Sequence, residues 1–270
     1  MDPLYVGLSI ALVFVGTHLG LASAPVRSRL VARFGELGFR GIFFLVAAVS
    51  FSVLTVYWAD HRLEGGPGLA LGTSPVLRWI LMTGVVAGVA LMVATFARYS
   101  GSPYDVERPN ASRPARGLER ITRHPFFAGL ALFAGAHALL ATHLISAVLM
   151  AALAALSIVG PMHQDAKLAR LRGKPFQDYV ASTSGIPFAA IVAGRQPFAW
   201  REMPWVAIAL GLAIAFGLRQ VHGEIFAHHG AWVILVAVGG PIVLLVSGLV
   251  QHRRARVSRP QGAPSAVRRP

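Results

Sequence analysis

Cysteine is absent from this chain of 270 residues. Its absence excludes disulfide bonds, zinc–thiolate sites, iron–sulfur clusters and thiol nucleophiles, all of which need a cysteine side chain. Charge is scarce as well, because Asp, Glu, Lys and Arg make up 13% of the residues, about half the share in an ordinary soluble domain. Together with a mean hydropathy of +0.59, this scarcity predicts an integral membrane protein.

Long apolar runs fill most of the sequence, and most have about the length that a helix needs to cross a bilayer, roughly 20 residues. We therefore predict an all-α fold, a polytopic transmembrane helical bundle of about seven spans, with six as the alternative count. The predicted spans are residues 4–24, 41–59, 76–97, 125–141, 144–162, 205–221 and 231–250.

The spans suggest three parts of the chain. Residues 1–204 form a transmembrane domain that contains spans one to five and the polar segment 163–204. Residues 205–250 form a C-terminal pair of transmembrane helices. Residues 251–270 are rich in arginine and proline and are predicted to be a basic disordered tail.

Basic residues are distributed unevenly between the two ends of the predicted spans. With seven spans, every lysine and arginine except Arg62, Arg78 and Arg219 falls on one side. The positive-inside rule makes that side cytoplasmic and places the N-terminus outside, in a bacterial inner membrane, with the C-terminus in the cytoplasm. The net charge of +14 is therefore explained by topology, and nucleic acid is not expected as a partner.

Two histidines, His18 and His137, lie inside predicted spans. An ionisable side chain within a membrane is costly and marks a candidate functional site. A neutral imidazole is a common metal ligand and a usual axial ligand of haem iron, although a hydrogen-bonded core histidine remains the alternative. The predicted depths permit these two histidines to meet but do not select that pairing. The histidines near the outer ends, His222 among them, are interpreted as interfacial polar residues.

A basic cluster precedes the fourth predicted span, where Arg120, Arg123 and His124 are followed by Pro125. Proline suits the first turn of a helix, so the cluster lies at a helix N-terminus beside the membrane. Such a place is suited to hold a carboxylate or phosphate. The alternative is a basic membrane anchor.

Several strings of residues resemble one family of membrane proteins. They include Thr17-His18-Leu19-Gly20, Tyr57-Trp58-Ala59-Asp60-His61-Arg62, Arg120-Ile121-Thr122-Arg123-His124-Pro125, Ala136-His137 and Ile186-Pro187-Phe188. Over roughly residues 10–200 the chain resembles the NnrU family, and most closely its branch of 15-cis-ζ-carotene isomerases.

The resemblance implies a helical membrane bundle that binds haem b. It implies that His18 and His137 are the axial iron ligands and catalytic residues, and that His61 and His124 are further cofactor-binding positions. Arg120 and Arg123 are expected to pair with the haem propionates. The implied reaction is cis-to-trans isomerisation of the central double bond of tri-cis-ζ-carotene. Its substrate is a lipid-soluble polyene, and an electron donor is a further expected partner.

Two other functions remain open. Bacterial NnrU proteins are associated with nitrite and nitric oxide respiration, which implies an accessory haem protein without catalytic activity. The stretch from Arg123 to Gly129, followed by Asp165, also distantly resembles membrane methyltransferases that use S-adenosylmethionine. In that group a tyrosine stands where this chain has Phe127, and paired glutamates stand where it has Asp165.

Overall fold

The structure, a computed structural model, describes residues 2–98 and 114–240. Its first half consists of three long helices, α1 (Pro3–Ala22), α2 (Ala24–His61) and α3 (Pro75–Arg98). Asp2 caps α1, because its carboxylate accepts a hydrogen bond from the Leu4 N–H at 2.8 Å and satisfies one of the free N–H groups of the first turn.

The second half alternates short and long helices. They are α4 (Leu118–Ile121), α5 (Pro125–Leu140), α6 (Leu144–Arg172), α7 (Lys174–Ser182), α8 (Ala189–Val192), α9 (Trp205–Gln220) and α10 (Ala231–Ile234). Pro125 occupies the first turn of α5, as the sequence predicts.

Helix α2 extends far beyond the predicted second span. It includes the polar segment 25–40, which the sequence places between two spans, and it breaks only at Gly35, where φ is 72° and ψ is 171°. This backbone conformation is accessible mainly to glycine. Beside the break, Glu36 accepts hydrogen bonds from Arg27 at 2.6 Å and from Arg40 at 3.3 Å. The pair of Arg27 and Glu36 joins the two halves of α2.

The long helices pack in the order α2, α1, α6, α5, α3 and α9. Buried apolar side chains fill the space between α1, α2 and α6, including Phe14, Leu54, Trp58 and Ile145. Helices α3 and α5 approach through two glycines, Gly88 and Gly129, with no side chain between their backbones. Small residues at a crossing point are typical of helix packing in membranes.

The two ends of the bundle are fixed by contacts between distant residues. At one end, the Tyr57 hydroxyl donates to the Pro3 carbonyl at 2.7 Å and the Trp58 indole N–H donates to Ser146 at 3.3 Å; we call this the Pro3 end. At the other end, Arg123 donates to Asp165 at 2.8 Å; we call this the Arg123 end. Helix α5 runs from the Arg123 end to the Pro3 end, and α6 returns.

The helices confirm the predicted membrane bundle. Within residues 2–98 and 114–240, four helices are long and apolar enough to cross a membrane, namely α1, α2, α3 and α6. Helices α5 and α9 are apolar and shorter, with 16 residues each. Large apolar side chains are exposed on the outside, such as Val206 at 86%, as lipid contact requires. Part of the predicted seventh span and the whole predicted tail, residues 241–270, lie outside the described residues.

Candidate functional site

His137 lies in the last turn of α5, near the Pro3 end. Its Nδ1 is 2.9 Å from the carbonyl oxygen of Phe133, one turn earlier in the helix. A carbonyl can only accept, so the proton is on Nδ1 and Nε2 has a free lone pair. A histidine whose Nδ1–H is bound to a backbone carbonyl has the arrangement common for metal-ligating histidines, with Nε2 as the ligand atom.

The ring of His137 faces that of His222, which lies in the turn after α9. The two ring planes are parallel to within 1°, and their centroids are 6.4 Å apart. His222 also contacts the Phe226 ring edge-on at 4.9 Å, and Phe226 in turn contacts Trp58 at 4.8 Å. The ends of α5, α9 and α2 therefore meet in an aromatic cluster at the Pro3 end.

His18 occupies a separate place in the bundle. Its Nδ1 lies 2.9 Å from the Phe14 carbonyl oxygen, and its ring contacts Phe14 at 4.5 Å and Phe43 at 5.7 Å. Helix α1, which contains His18, packs against α2 and α6, while α5, which contains His137, packs against α3 and α6. The structure does not bring His18 and His137 together, and no hydrogen bond or ring contact joins them.

Arg123 and His124 share one carboxylate from α6. Asp165 accepts hydrogen bonds from Arg123 Nε at 2.8 Å and from His124 Nε2 at 2.9 Å. The side chain of His124 is 5% exposed, and its Nδ1 has no hydrogen-bond partner within the described parts of the chain. This cluster connects the start of α5 to the far end of α6.

Arg120 is held by a second carboxylate, that of Glu202. The guanidinium donates from Nε and from one terminal nitrogen to the two Glu202 oxygens, each at 2.9 Å, and to Gln196 at 2.8 Å. The Gly117 N–H donates to the same carboxylate at 2.9 Å. The hydrogen bonds from Arg120 and from Gly117 lower the pKa of Glu202 to about 2, and the same contact raises the pKa of Arg120.

This lowered pKa predicts a dependence of stability on acid. Glu202 has an ordinary pKa of 4.5 and a pKa of about 2 in the folded protein, so its ionised form stabilises the fold fully above about pH 4.5 and loses that effect as the pH falls toward 2. Because its carboxylate is partly exposed, we expect Glu202→Gln to cost about 1 kcal/mol at pH 7. Thermal unfolding in detergent, measured for both proteins between pH 7 and 2, should show their difference shrinking below pH 4.5. A difference that stays constant with pH would contradict this role.

The remaining predicted site residue, His61, ends α2 at the Pro3 end. Its Nδ1 lies 3.0 Å from a Glu64 carboxylate oxygen, and its ring contacts Tyr57 at 4.4 Å. Residues 2–98 and 114–240 contain no cluster of three or more His, Asp or Glu side chains that could hold a metal ion alone. The roles of Arg120, Arg123, His124 and His61 toward a cofactor stay predictions.

Two features of the site are missing from the sequence interpretation. Glu202 lies in a polar segment, and only its acidic character among basic residues signals a partner for Arg120. The sequence predicts an interfacial polar residue at His222, and in the structure its ring faces that of His137. The aromatic Phe226 four residues later is a weak signal that this turn packs back onto the bundle.

The fold and these histidines define a helical membrane protein with ionisable groups at both ends of its bundle. The family described as NnrU protein matches residues 7–230, and the chain belongs to this family. No solved structure matches the chain significantly.

Two curated relatives are similar to most of the chain. The chain is 30% identical over 231 residues to a protein of Arabidopsis thaliana named 15-cis-zeta-carotene isomerase, chloroplastic; the match covers 82% of this chain and 62% of the relative. It is 26% identical over 223 residues to the protein of the same name from Zea mays, covering 79% of this chain and 60% of the relative. The chain thus spans less than two thirds of the length of either relative.

Proposed function

We propose that this protein is a haem-b-binding membrane isomerase that converts the central double bond of 15-cis-ζ-carotene from cis to trans. The observation that carries the proposal is the similarity to two proteins named as isomerases of this carotene, which extends over 82% and 79% of the chain. A membrane bundle with lipid-exposed apolar faces suits a substrate that dissolves in the bilayer.

The histidines within the helices have the chemistry that haem iron requires. The carbonyl of Phe133 holds His137 in the tautomer that leaves Nε2 free, and the carbonyl of Phe14 does the same for His18. When bound, haem supplies an iron centre whose reactivity depends on its axial ligands and on the polarity of the surrounding pocket. Both His18 and His137 therefore fit the group that the family resemblance implies.

The protein's own part is to position His137 and to keep water away from it. Phe133 and the aromatic rings of Phe226 and Trp58 line this part of the bundle. At the opposite end, the carboxylates of Glu202 and Asp165 fix Arg120 and Arg123. We infer that these ion pairs anchor the start of α5, the helix that bears His137.

We propose a bacterial inner membrane as the location, and the asymmetry of basic residues favours the orientation with the N-terminus outside and the C-terminus in the cytoplasm. In this orientation the Pro3 end of the bundle faces outward.

The proposal is tested by an isomerase assay in lipid. The full chain, loaded with haem b and reduced with dithionite in nanodiscs, is mixed in the dark with tri-cis-ζ-carotene, and the products are separated by chromatography. We expect conversion to the isomer with a trans central bond, and His137→Ala should abolish it. Haem-loaded wild-type protein that leaves the substrate unchanged would contradict the isomerase function.

A second candidate is a haem protein without isomerase activity, of the kind associated with nitrite or nitric oxide respiration. The observation that favours it is the match of the NnrU family to residues 7–230. In the same assay this candidate predicts bound haem with no conversion of carotene.

The cluster of Arg123, His124 and Asp165 favours a third candidate, the membrane methyltransferase. This function predicts methylated lipid when the protein is incubated with S-adenosylmethionine and bilayer lipids. It also predicts that haem is unnecessary.

A further inference from the structure

Basic side chains from α2 and α6 meet at the Arg123 end of the bundle. Lys167 lies near the end of α6, beyond the predicted span of residues 144–162. Burial, followed by the positive charges around it, lowers the pKa of Lys167; the charged groups that act on it are Arg27, Glu36, Arg40 and Arg172. We call Arg27, Arg40 and Lys167, which are all half-buried, the interfacial basic cluster.

The interfacial basic cluster has more positive charge than its surroundings neutralise. Glu36 accepts hydrogen bonds from Arg27 at 2.6 Å and from Arg40 at 3.3 Å, so two guanidiniums share its single negative charge. Within residues 2–98 and 114–240, Glu36 is also the one carboxylate whose charge acts on Lys167. Like charges that are partly removed from water repel one another strongly. An added anion would therefore stabilise this part of the fold.

Arg27 also has an unused hydrogen-bond donor. Its Nε is buried and has no partner within the described parts of the chain, while a terminal nitrogen of the same guanidinium is bound to Glu36. The guanidinium lies over the Phe39 ring, 5.2 Å from its centroid. A buried N–H without an acceptor is costly and rare, and a phosphate oxygen is an acceptor that suits arginine.

Other basic residues of the same helices have different surroundings. Arg29 on α2 and Arg170 on α6 are exposed, so solvent and salt screen their charges. The interfacial basic cluster is thus distinguished from the general excess of arginine at this end by its burial and by its shared carboxylate.

The cluster lies where the apolar parts of α2 and α6 end. Arg40 directly precedes the predicted span of residues 41–59, and Lys167 follows the span of residues 144–162 by about 7 Å of helix. Both helices are long and apolar enough to cross a membrane, which places the cluster at the depth of the phospholipid headgroups. In the proposed orientation this is the cytoplasmic leaflet, where basic groups between transmembrane helices attract anionic lipids.

We propose that Arg27, Arg40 and Lys167 bind the phosphate group of an anionic phospholipid in the leaflet at the Arg123 end. The phosphate oxygens accept hydrogen bonds from Arg27 and from the Lys167 ammonium, while Glu36 holds the two arginines in place. Arg40 has further donors for the same group, because a guanidinium has five. This binding site requires neither haem nor carotene, so it is independent of the proposed isomerase activity.

The test measures lipid binding by the full chain purified in detergent. Native mass spectrometry counts the bound molecules of phosphatidylglycerol, or of phosphatidylcholine with the same acyl chains, and a titration gives each dissociation constant. We expect wild type to bind one phosphatidylglycerol roughly tenfold more tightly than phosphatidylcholine, because only the former has a net negative charge. Equal affinity for the two lipids would overturn the proposal.

Charge reversal at two positions separates the site from a general effect of charge. Lys167→Glu should weaken phosphatidylglycerol binding about 25-fold, since it changes the local charge by two units and each unit near an anionic headgroup contributes about fivefold. The matched control is Arg29→Glu, which makes the same change in net charge at an exposed position of α2 and should weaken binding no more than about twofold. Equal losses in the two variants would contradict a defined site.

Thermal unfolding guards against a merely structural role of Lys167. Lys167→Gln removes a cation that its neighbours repel, so without lipid this variant should unfold at the same temperature as wild type or at a higher one. Added phosphatidylglycerol should reverse this order, because wild type binds the lipid more tightly and gains more stability from it. A variant that is less stable than wild type by the same amount with and without lipid would overturn the proposal. Inorganic phosphate that protects wild type as well as phosphatidylglycerol does would also overturn it, in favour of a free anion.

Discussion

Replacing Asp165 with alanine should destabilise the protein by about 2 kcal/mol, less than the range for a fully buried ion pair, because the Asp165 side chain is 21% exposed. The carboxylate accepts hydrogen bonds from both Arg123 and His124, and these side chains are only 17% and 5% exposed. Removal of Asp165 therefore leaves a cation and an imidazole in a poorly solvated place. Because both belong to the segment that begins α5, we expect the loss to be seen in thermal unfolding and in the anchoring of that helix.

A matched control is available thirteen residues further along the chain. Asp178 also pairs with a cation, Lys174, at 2.7 Å, but there the side chains are 61% and 79% exposed. An exposed pair of this kind contributes about 0.3–0.5 kcal/mol, so Asp178→Ala should change the unfolding free energy little. Equal effects of the two substitutions would contradict the view that Asp165 holds the Arg123 end together.

Replacing Gly88 with alanine should cost about 2–3 kcal/mol, because a new methyl group would meet backbone instead of movable side chains. An added Cβ at Gly88 would lie 2.6 Å from the Gly129 carbonyl oxygen and 2.7 Å from the Phe133 nitrogen. Helices α3 and α5 would have to move apart to accept it. Since α5 bears His137, the same substitution should also weaken haem binding.

The control for this prediction lies one turn away on the same helix. At Gly84 an added Cβ would meet only the Ala136 Cβ, at 3.6 Å, which is ordinary contact. Alanine also favours a helix over glycine by up to about 1 kcal/mol, so Gly84→Ala should be neutral or stabilising. Unfolding of both variants in detergent, followed by circular dichroism, measures the contrast. A Gly88→Ala protein as stable as Gly84→Ala would show that the helices do not approach so closely.

The sequence predicts the helices of this protein far better than their arrangement. Six of the predicted spans correspond to α1, α2, α3, α5, α6 and α9, because apolar length is a local property. The order of packing is not local: α6 packs against α1, although residues 23–143 separate the two helices in sequence. For this reason the predicted depths of His18 and His137 in the membrane do not decide whether their rings meet.

The partners of the basic cluster are also beyond what the sequence predicts. Its position at the start of a helix is predicted from Arg120, Arg123 and Pro125, and the structure has α5 begin at Pro125. The partners of the two arginines come from elsewhere, with Asp165 separated by 42 residues from Arg123 and Glu202 by 82 residues from Arg120. Neither partner follows from spacing. The sequence leaves an external anion and a membrane anchor open for the two arginines, and in the structure they are bound to Glu202 and Asp165.

The central claim, that His137 holds haem b in this membrane protein, is tested most directly by the haem content and the optical spectrum of the full chain purified after haem supplementation. The Nδ1–H of His137 donates to the Phe133 carbonyl, which leaves Nε2 as the ligand atom. We predict a Soret band in the wild-type protein and its loss in His137→Ala. Wild-type protein without bound haem, or full retention of haem in His137→Ala, would contradict the claim.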